Sequence, residues 1–390
     1  MIYFVIPKTI NTIYKNIEYI DCDIPVLPFI SNSLSNYLYE MKNKINENEH
    51  EWNIYKKYTN SYEYINTSVP HKKKSISKYK PLSRSFFKMV EIINFFNINA
   101  NFSNKPINSF HLCEGPGGFI EALIYLRKKT NNCNGDLYYG MTILDDEQND
   151  VPAWKKSFIF LKNNKNLIIE NGIDNTGNIL SIQNFLYCNE KYASSMDFIT
   201  ADGGFDFSSD FNNQETSVNK LLFAQIVYAL CMQKENGFFI LKIFDCFMQY
   251  TIDLLNILSS FYETVYITKP YTSRFANSEK YIVCSKFLFN SNETFFPYLY
   301  NTLERLLMSN KNPFRFLNIP TPIFFISKIE EYNSFFGMSQ IENISNTILL
   351  IENNKKNEKI EFLIKNNIMK CVNWCIKNDI SYNIFQNDNT

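Results

Sequence analysis

Lys88, Asp202, Lys242 and Glu279 are the residues whose types could act together on one hydroxyl group. Lys242 is the most telling of them. It interrupts Gly237-Phe-Phe-Ile-Leu-Lys-Ile-Phe244, a run otherwise apolar enough to be a strand covered on both faces. An amine in such a place must be paired, or its pKa must fall. A neutral lysine can take the proton of a hydroxyl nucleophile. Apolar surroundings and a second cation favour neutrality, whereas carboxylates resist it and fix the amine in place. Two lysines and two acids supply both ingredients, and their titrations would be coupled. A purely structural ion pair of Lys242 with Asp202 or Glu279 is compatible with the same residues. Asp202 follows the apolar run Met196–Ala201 and opens Asp202-Gly-Gly204, where an aspartate can also serve simply as a turn cap.

A second chemical feature is the stretch Phe110-His-Leu-Cys-Glu-Gly-Pro-Gly-Gly-Phe119. It reads as a strand, a glycine turn and the start of an amphipathic helix. Gly115, Gly117 and Gly118 let the backbone pass close to a ligand, and the helix start would present free N–H groups. The G-x-G-x-x-G spacing of a dinucleotide fingerprint is missing, and no G-K-[ST] follows to make a P-loop. The turn suits an amino-acid-bearing nucleoside better than a diphosphate.

These residues need a scaffold, and the chain alternates between strand and helix patterns from about 108 to 288. Expected strands are Ser109–Cys113, Leu137–Ile143, Leu167–Glu170, Met196–Ala201, Phe238–Phe244, Glu263–Thr268 and Tyr281–Phe287. Expected helices are Gly117–Arg127, Gln214–Met232 and Phe247–Phe261, with Gly237 as a turn into its strand. An earlier helix, Ser83–Phe96, carries Phe86, Phe87, Val90 and Ile93 on one side and Arg84, Lys88 and Glu91 on another. The expected fold is α/β, a doubly wound, mostly parallel, Rossmann-like sheet of seven strands. Ligands in such sheets sit beyond the strands' C-terminal ends, where Asp202 and Lys242 fall. Residues 1–80 read as an N-terminal extension, 81–288 as the main domain and 289–390 as a mainly helical extension. In the last part Ile323–Glu330, Ile341–Asn353 and Ile360–Ile380 supply apolar faces.

Composition bounds the functions available. The 390 residues are 45% hydrophobic, and 39 Lys and Arg balance 39 Asp and Glu. With no overall basic field, any nucleic-acid site must be local. His71-Lys-Lys-Lys74 is one such place, although a charge run also serves as plain wet surface. Lys269-Pro-Tyr-Thr-Ser-Arg274 is another; its two cations, with Arg84, could meet RNA phosphates, and Tyr271 could stack on a base. Nine cysteines without C-x-x-C pairs and three histidines argue against a metal site or a disulfide framework. No window has the apolar length of a membrane span, and no signal segment is evident, so a soluble, cytoplasmic protein is expected.

The motifs resemble those of the eukaryotic and large-DNA-virus cap-specific ribose 2'-O-methyltransferases, in the FtsJ-like group. The likeness runs from Arg84-Ser-Phe-Phe-Lys88-Met89 through Leu112-Cys-Glu-Gly-Pro-Gly-Gly-Phe119, Gly140-Met-Thr142 and Gly172-Ile-Asp-Asn-Thr-Gly-Asn-Ile179. It continues through Ala201-Asp-Gly-Gly-Phe205, Leu241-Lys-Ile-Phe-Asp245 and Lys269-Pro-Tyr-Thr-Ser-Arg-Phe-Ala-Asn-Ser-Glu279-Lys-Tyr-Ile-Val283. The resemblance implies S-adenosyl-L-methionine as cofactor and capped mRNA as substrate, methylated on the first transcribed nucleotide. It implies Lys242 as the central proton-handling residue, arranged by Asp202, Lys88 and Glu279. Cofactor contacts are implied for Cys113, Glu114, Gly115, Pro116, Gly117, Gly118, Phe119, Thr142, Asp174 and Asp202. RNA contacts are expected at Lys72, Lys73, Lys74, Arg84, Lys269 and Arg274. Asn178 stands where relatives often have aspartate. A virus-encoded source and a partner from the capping or transcription machinery fit the same picture.

Other readings stay open. The second transcribed nucleotide, or a ribosomal or transfer RNA ribose, could be the acceptor. A catalytically silent RNA-binding or scaffold subunit could keep the fold alone.

Overall fold

The computed structural model describes residues 1–24, 26–103, 105–130, 134–144, 153–204, 212–353 and 357–385. Phe205 of the aspartate motif lies outside them. In chain order the strands are β1 (Ile2–Val5), β2 (Ile17–Cys22), β3 (Asn108–Leu112), β4 (Leu137–Met141) and β5 (Leu167–Ile169). They continue as β6 (Met196–Ala201), β7 (Gln233–Ile243), β8 (Tyr262–Lys269), β9 (Lys280–Phe287) and β10 (Asn312–Leu317).

Eight strands form the main sheet in the order β1-β8-β9-β7-β6-β3-β4-β5, and β10 pairs with β2 separately. Pairing is parallel from β7 through β6, β3 and β4 to β5. It is antiparallel where β9 lies between β7 and β8, and where β1 joins β8. The expected seven strands are all present, and Ile2–Val5 adds an eighth at the edge, so residues before 80 are built into the sheet.

Strand parity explains why both faces are covered. Phe198, Ile240 and Val283 belong to one apolar cluster, and their neighbours Ile199, Leu241 and Ile282 belong to the other. Successive side chains point to opposite faces, so each central strand reads as continuously apolar. The first cluster also holds Phe86, Phe87, Met89 and Val90 of helix Ser85–Phe95, and Phe119, Ile120 and Leu123 of helix Gly118–Lys129. Asp202, Lys242 and Tyr281 share the parity of Phe198, Ile240 and Val283. They therefore lie on the sheet face that carries the Lys88 helix.

Three local expectations change. The long helix expected at Gln214–Met232 is two helices, Gln214–Ser217 and Asn219–Met232, broken at Val218. Gly237 is not a turn into β7. The strand begins at Gln233 and passes through an irregular register opposite β6, with Asn236 at φ 63. In the last quarter, the two apolar stretches from Ile323 onward form one continuous helix, Ile323–Glu352. It packs on helices Asn32–Glu47 and Glu49–Thr59, while helix Asn357–Lys377 packs beside Glu63–Ile65. Asn367 donates to Tyr58 O at 2.7 Å, so the two ends of the chain brace each other.

Candidate active site

Helix Ser85–Phe95 grips the connection between β8 and β9 through residues spaced one turn apart, the spacing that places side chains on one face. Arg84 donates to Thr272 O at 3.3 Å. Lys88 Nζ lies 2.7 and 2.9 Å from the two carboxylate oxygens of Glu279. Glu91 accepts from Tyr271 N and Thr272 N at 2.9 and 3.1 Å, and from Trp374 Nε1 of the C-terminal helix at 3.1 Å. Glu279 also accepts from Ser273 Oγ and Tyr281 OH, each at 3.0 Å.

The second pair comes from neighbouring parallel strands. Register sets Ala201 of β6 beside Leu241 of β7, so the next residues, Asp202 and Lys242, emerge together at the C-terminal edge. Lys242 Nζ is 3.0 Å from Asp202 Oδ1 and donates to Asp202 O at 2.7 Å. The pairs sense each other, since Lys242 feels Glu279 and Lys88 feels Asp202. The structure thus brings all four acid and amine groups into one cluster.

Their electrostatics differ. Burial presses Lys242 toward neutrality, but Asp202 and Glu279 outweigh it and hold the ammonium above the usual lysine value. For Lys88 burial prevails over Glu279, and Arg84 adds repulsion, so this amine lies below its usual value. Burial opposes ionisation of Glu279 too, yet Lys88 and Lys242 hold its carboxyl well below the ordinary range. In the free protein the amine readier to be neutral is therefore Lys88, whereas Lys242 has two carboxylates in reach.

Several expected contacts look different in three dimensions. Lys269 does not offer its amine to a phosphate. It is buried and donates to Asn277 O, Asn277 Oδ1 and Glu279 O at 2.6, 2.9 and 2.7 Å, tying off the loop that ends in Glu279. Arg274 makes a two-point contact with Glu63, Nε to Oε2 at 3.0 Å and a terminal nitrogen to Oε1 at 2.7 Å. Arg84 approaches the same carboxylate at 3.5 Å. The Glu63 side chain is fully buried, and although burial opposes it, the two guanidiniums draw its pKa down to about 2. Two arginines around one acid leave a surplus positive charge, with each arginine side chain about a third exposed. Lys73 and Lys74 are exposed and Lys72 is half-buried. Tyr271 stacks on Tyr62, ring centroids 5.2 Å apart.

The glycine turn is built by backbone conformations few residues tolerate. Cys113 has φ 55 and Gly117 φ 108. Gly117 N donates to Glu114 O at 2.7 Å, and Ser157 Oγ donates to Pro116 O. A Cβ on Gly118 would collide with Ser83 and Ser85, so this glycine allows the Lys88 helix to pack closely against the next one. Burial pushes the Cys113 thiol up to about 12. The helix N–H groups expected to be free are partly occupied, because Glu114 Oε1 accepts from Phe119 N and Ile120 N at 2.8 and 2.9 Å. Thr142 is buried, and Leu144 N bonds Thr176 O at 2.7 Å, joining the end of β4 to the loop 172–178. Asp174 is exposed and organises that loop, accepting from Thr176 N and Asn184 Nδ2 at 2.9 and 2.8 Å.

The turn suits a cationic nucleoside cofactor on one direct observation. Glu114 Oε2 is buried without a protein partner, beside a backbone shaped for close approach. Among the described residues no group of His, Cys, Asp or Glu is placed to hold a metal ion, and no helix is long and apolar enough to cross a membrane. Sequence reasoning missed Ser273, Tyr281 and Glu63. Ser273 and Tyr281 flank Glu279 within its own motif, whereas nothing local marks Glu63.

A Rossmann-like sheet with a glycine turn on β3 and this cluster at its C-terminal edge defines a class of nucleoside-cofactor enzymes. Residues 81–287 match the FtsJ-like methyltransferase family, over half of the chain, and the chain belongs to that family. It is similar to the Pongo abelii protein named cap-specific mRNA (nucleoside-2'-O-)-methyltransferase 2. The two are 30% identical over 362 residues, covering 87% of this chain and 43% of the relative. The Mus musculus protein of the same name is 29% identical over 345 residues, 87% of this chain and 44% of that protein. A Trypanosoma brucei brucei protein named cap-specific mRNA (nucleoside-2'-O-)-methyltransferase 1 is 32% identical over 184 residues, 45% of this chain and 46% of that one. The chain spans less than half the length of these relatives.

Proposed function

We propose that this protein transfers a methyl group from S-adenosyl-L-methionine to a ribose 2'-hydroxyl in the cap region of mRNA. The observation that carries the proposal is the meeting of Lys88, Asp202, Lys242 and Glu279 as two mutually coupled ion pairs at the sheet edge. The names of the relatives supply the substrate class, capped mRNA.

Bound at the glycine turn, the cofactor supplies an electrophilic methyl on a positively charged sulfur. The protein's task is to align the hydroxyl oxygen with that carbon and to manage one proton. The cofactor would supply both the methyl and the leaving sulfide, and the hydroxyl proton would pass to a base of the protein or to water. Lys242 stands where an amine can hold that oxygen. Asp202 fixes the amine by direct contact, and Glu279 acts on it through its charge. A cation arriving beside Asp202 offsets the carboxylates that keep Lys242 charged, so cofactor binding and neutralisation of the amine favour each other. Lys88 completes the cluster and keeps Glu279 ionised. Arg84 and Arg274, with their surplus charge, would meet an RNA phosphate, and Lys72, Lys73 and Lys74 would meet others along the strand.

We place the methyl on the first transcribed nucleotide. A specific observation favours a second reading, the second transcribed nucleotide: relatives numbered 2 match over most of the chain, but the trypanosome relative numbered 1 matches over less than half. The test is incubation with labelled cofactor and matched capped, uncapped and structured RNAs, followed by identification of the methylated nucleotide. Transfer indifferent to the cap would replace the cap reading with a ribosomal or transfer RNA substrate.

A further inference from the structure

The start of helix Gly118–Lys129 is the place where related sheets bind the pyrophosphate of a dinucleotide, on exposed N–H groups at the positive end of the helix. Here that place is filled from within. Glu114 Oε1 takes the N–H groups of Phe119 and Ile120 at 2.8 and 2.9 Å, and Glu121 N is bonded to Gly117 O at 2.9 Å. The backbone on both sides pins the carboxylate, since Glu114 N donates to Met141 O at 3.2 Å and Glu114 O accepts from Gly117 N at 2.7 Å. A simple cap would need one oxygen and could leave the other in water. Glu114 is instead 3% exposed, and its Oε2 has no hydrogen-bond partner. Asp202 lies near enough to repel it, and while Asp202 is paired with Lys242, the second oxygen of Glu114 is left without compensation.

We propose that Glu114 determines cofactor specificity in two ways: its Oε1 excludes phosphate from the helix end, and its Oε2 meets a positively charged group of the cofactor. The inference rests on the S-adenosylmethionine assignment above. Burial, reinforced by the Asp202 charge, raises the Glu114 carboxyl well above its usual range, so a bound cation relieves an unfavourable arrangement. Adenosine, which lacks the charged amino-acid part, gains nothing from it.

The experiment is isothermal titration calorimetry of S-adenosylmethionine, adenosine and inorganic pyrophosphate into the unaltered protein, Glu114→Gln and Glu114→Ala, with thermal melts alongside. Glutamine keeps an acceptor oxygen for Phe119 N and Ile120 N but removes the charge. The expected result is S-adenosylmethionine binding weakened roughly 10- to 100-fold in Glu114→Gln, as for loss of a hydrogen bond to a charged group. Adenosine binding should be unchanged and pyrophosphate still excluded. Glu114→Ala should weaken S-adenosylmethionine to the same degree and acquire pyrophosphate binding. If alanine prevents folding, the glutamine variant decides alone. Equal S-adenosylmethionine affinity in the unaltered protein and Glu114→Gln overturns the proposal while leaving the cofactor assignment intact. Failure of the unaltered protein to bind S-adenosylmethionine removes both.

Discussion

Replacing Lys242 by methionine removes an amine while nearly preserving its volume, so the packing of β7 should survive. What disappears is the 3.0 Å pair with Asp202 Oδ1 and the 2.7 Å hydrogen bond to Asp202 O. Breaking a buried pair by removing one partner costs about 3–5 kcal/mol. The Asp202 side chain remains 21% exposed and water can reach it, so about 2–3 kcal/mol is expected here. The sign with pH follows from the raised pKa of Lys242. A lysine favoured in its charged form by folding contributes fully below its unfolded value of about 10.4, and the contribution is lost as pH rises through the folded value. The stability difference between the two proteins should therefore be constant through neutral pH and shrink only in strongly alkaline solution. On activity the effect should be larger. Loss of a positioned proton-handling group lowers transfer by ~100- to 10,000-fold, or about 3–5 kcal/mol of barrier. Single-turnover transfer to capped RNA, calorimetric cofactor titration and urea denaturation read the three quantities separately. Transfer near the unaltered rate, in a variant that folds and binds cofactor, would refute the role assigned to Lys242.

Gly117→Val should bind S-adenosylmethionine poorly and lose roughly 1–3 kcal/mol of stability, measured by calorimetry and denaturation. The cause is the backbone at φ 108 and not a collision, because a Cβ there meets Leu82 and Trp154 at an ordinary 3.4 Å. Changing Lys72, Lys73 and Lys74 together to glutamine should weaken RNA binding and flatten its dependence on salt. The log–log slope should fall by about 0.7 for each phosphate no longer neutralised; an unchanged slope would return the run to plain surface. Glu63 supplies an acid-side test. Its pKa is lowered from 4.5 to about 2, so its contribution is present above the unfolded value and lost as pH falls through about 2. That is roughly 3 kcal/mol at neutral pH. Glu63→Gln should therefore be less stable than the unaltered protein at pH 7, with the gap closing in acid. A gap that stays constant into strong acid would contradict the arginine–carboxylate account.

The four groups of the proposed site were legible because each breaks a local rule. Lys242 interrupts an apolar strand, Asp202 ends another, Lys88 shares a helix face with Arg84 and Glu91, and Glu279 closes a polar segment before β9. Period-two and helical patterns depend only on near neighbours, so the strands, the glycine turn and the α/β class could be read without coordinates. Pairing could not. It depends on the position of β9 between β7 and β8, and on the parity that turns Asp202, Lys242 and Tyr281 toward one helix. The same long-range packing buries Lys269 beneath the loop it was expected to project from and brings Glu63 from outside the motif region to the two arginines. A sequence states which side chains carry charge. Where each charge finds its partner is decided by segments far apart in the chain, because burial lets no ionised group remain uncompensated cheaply.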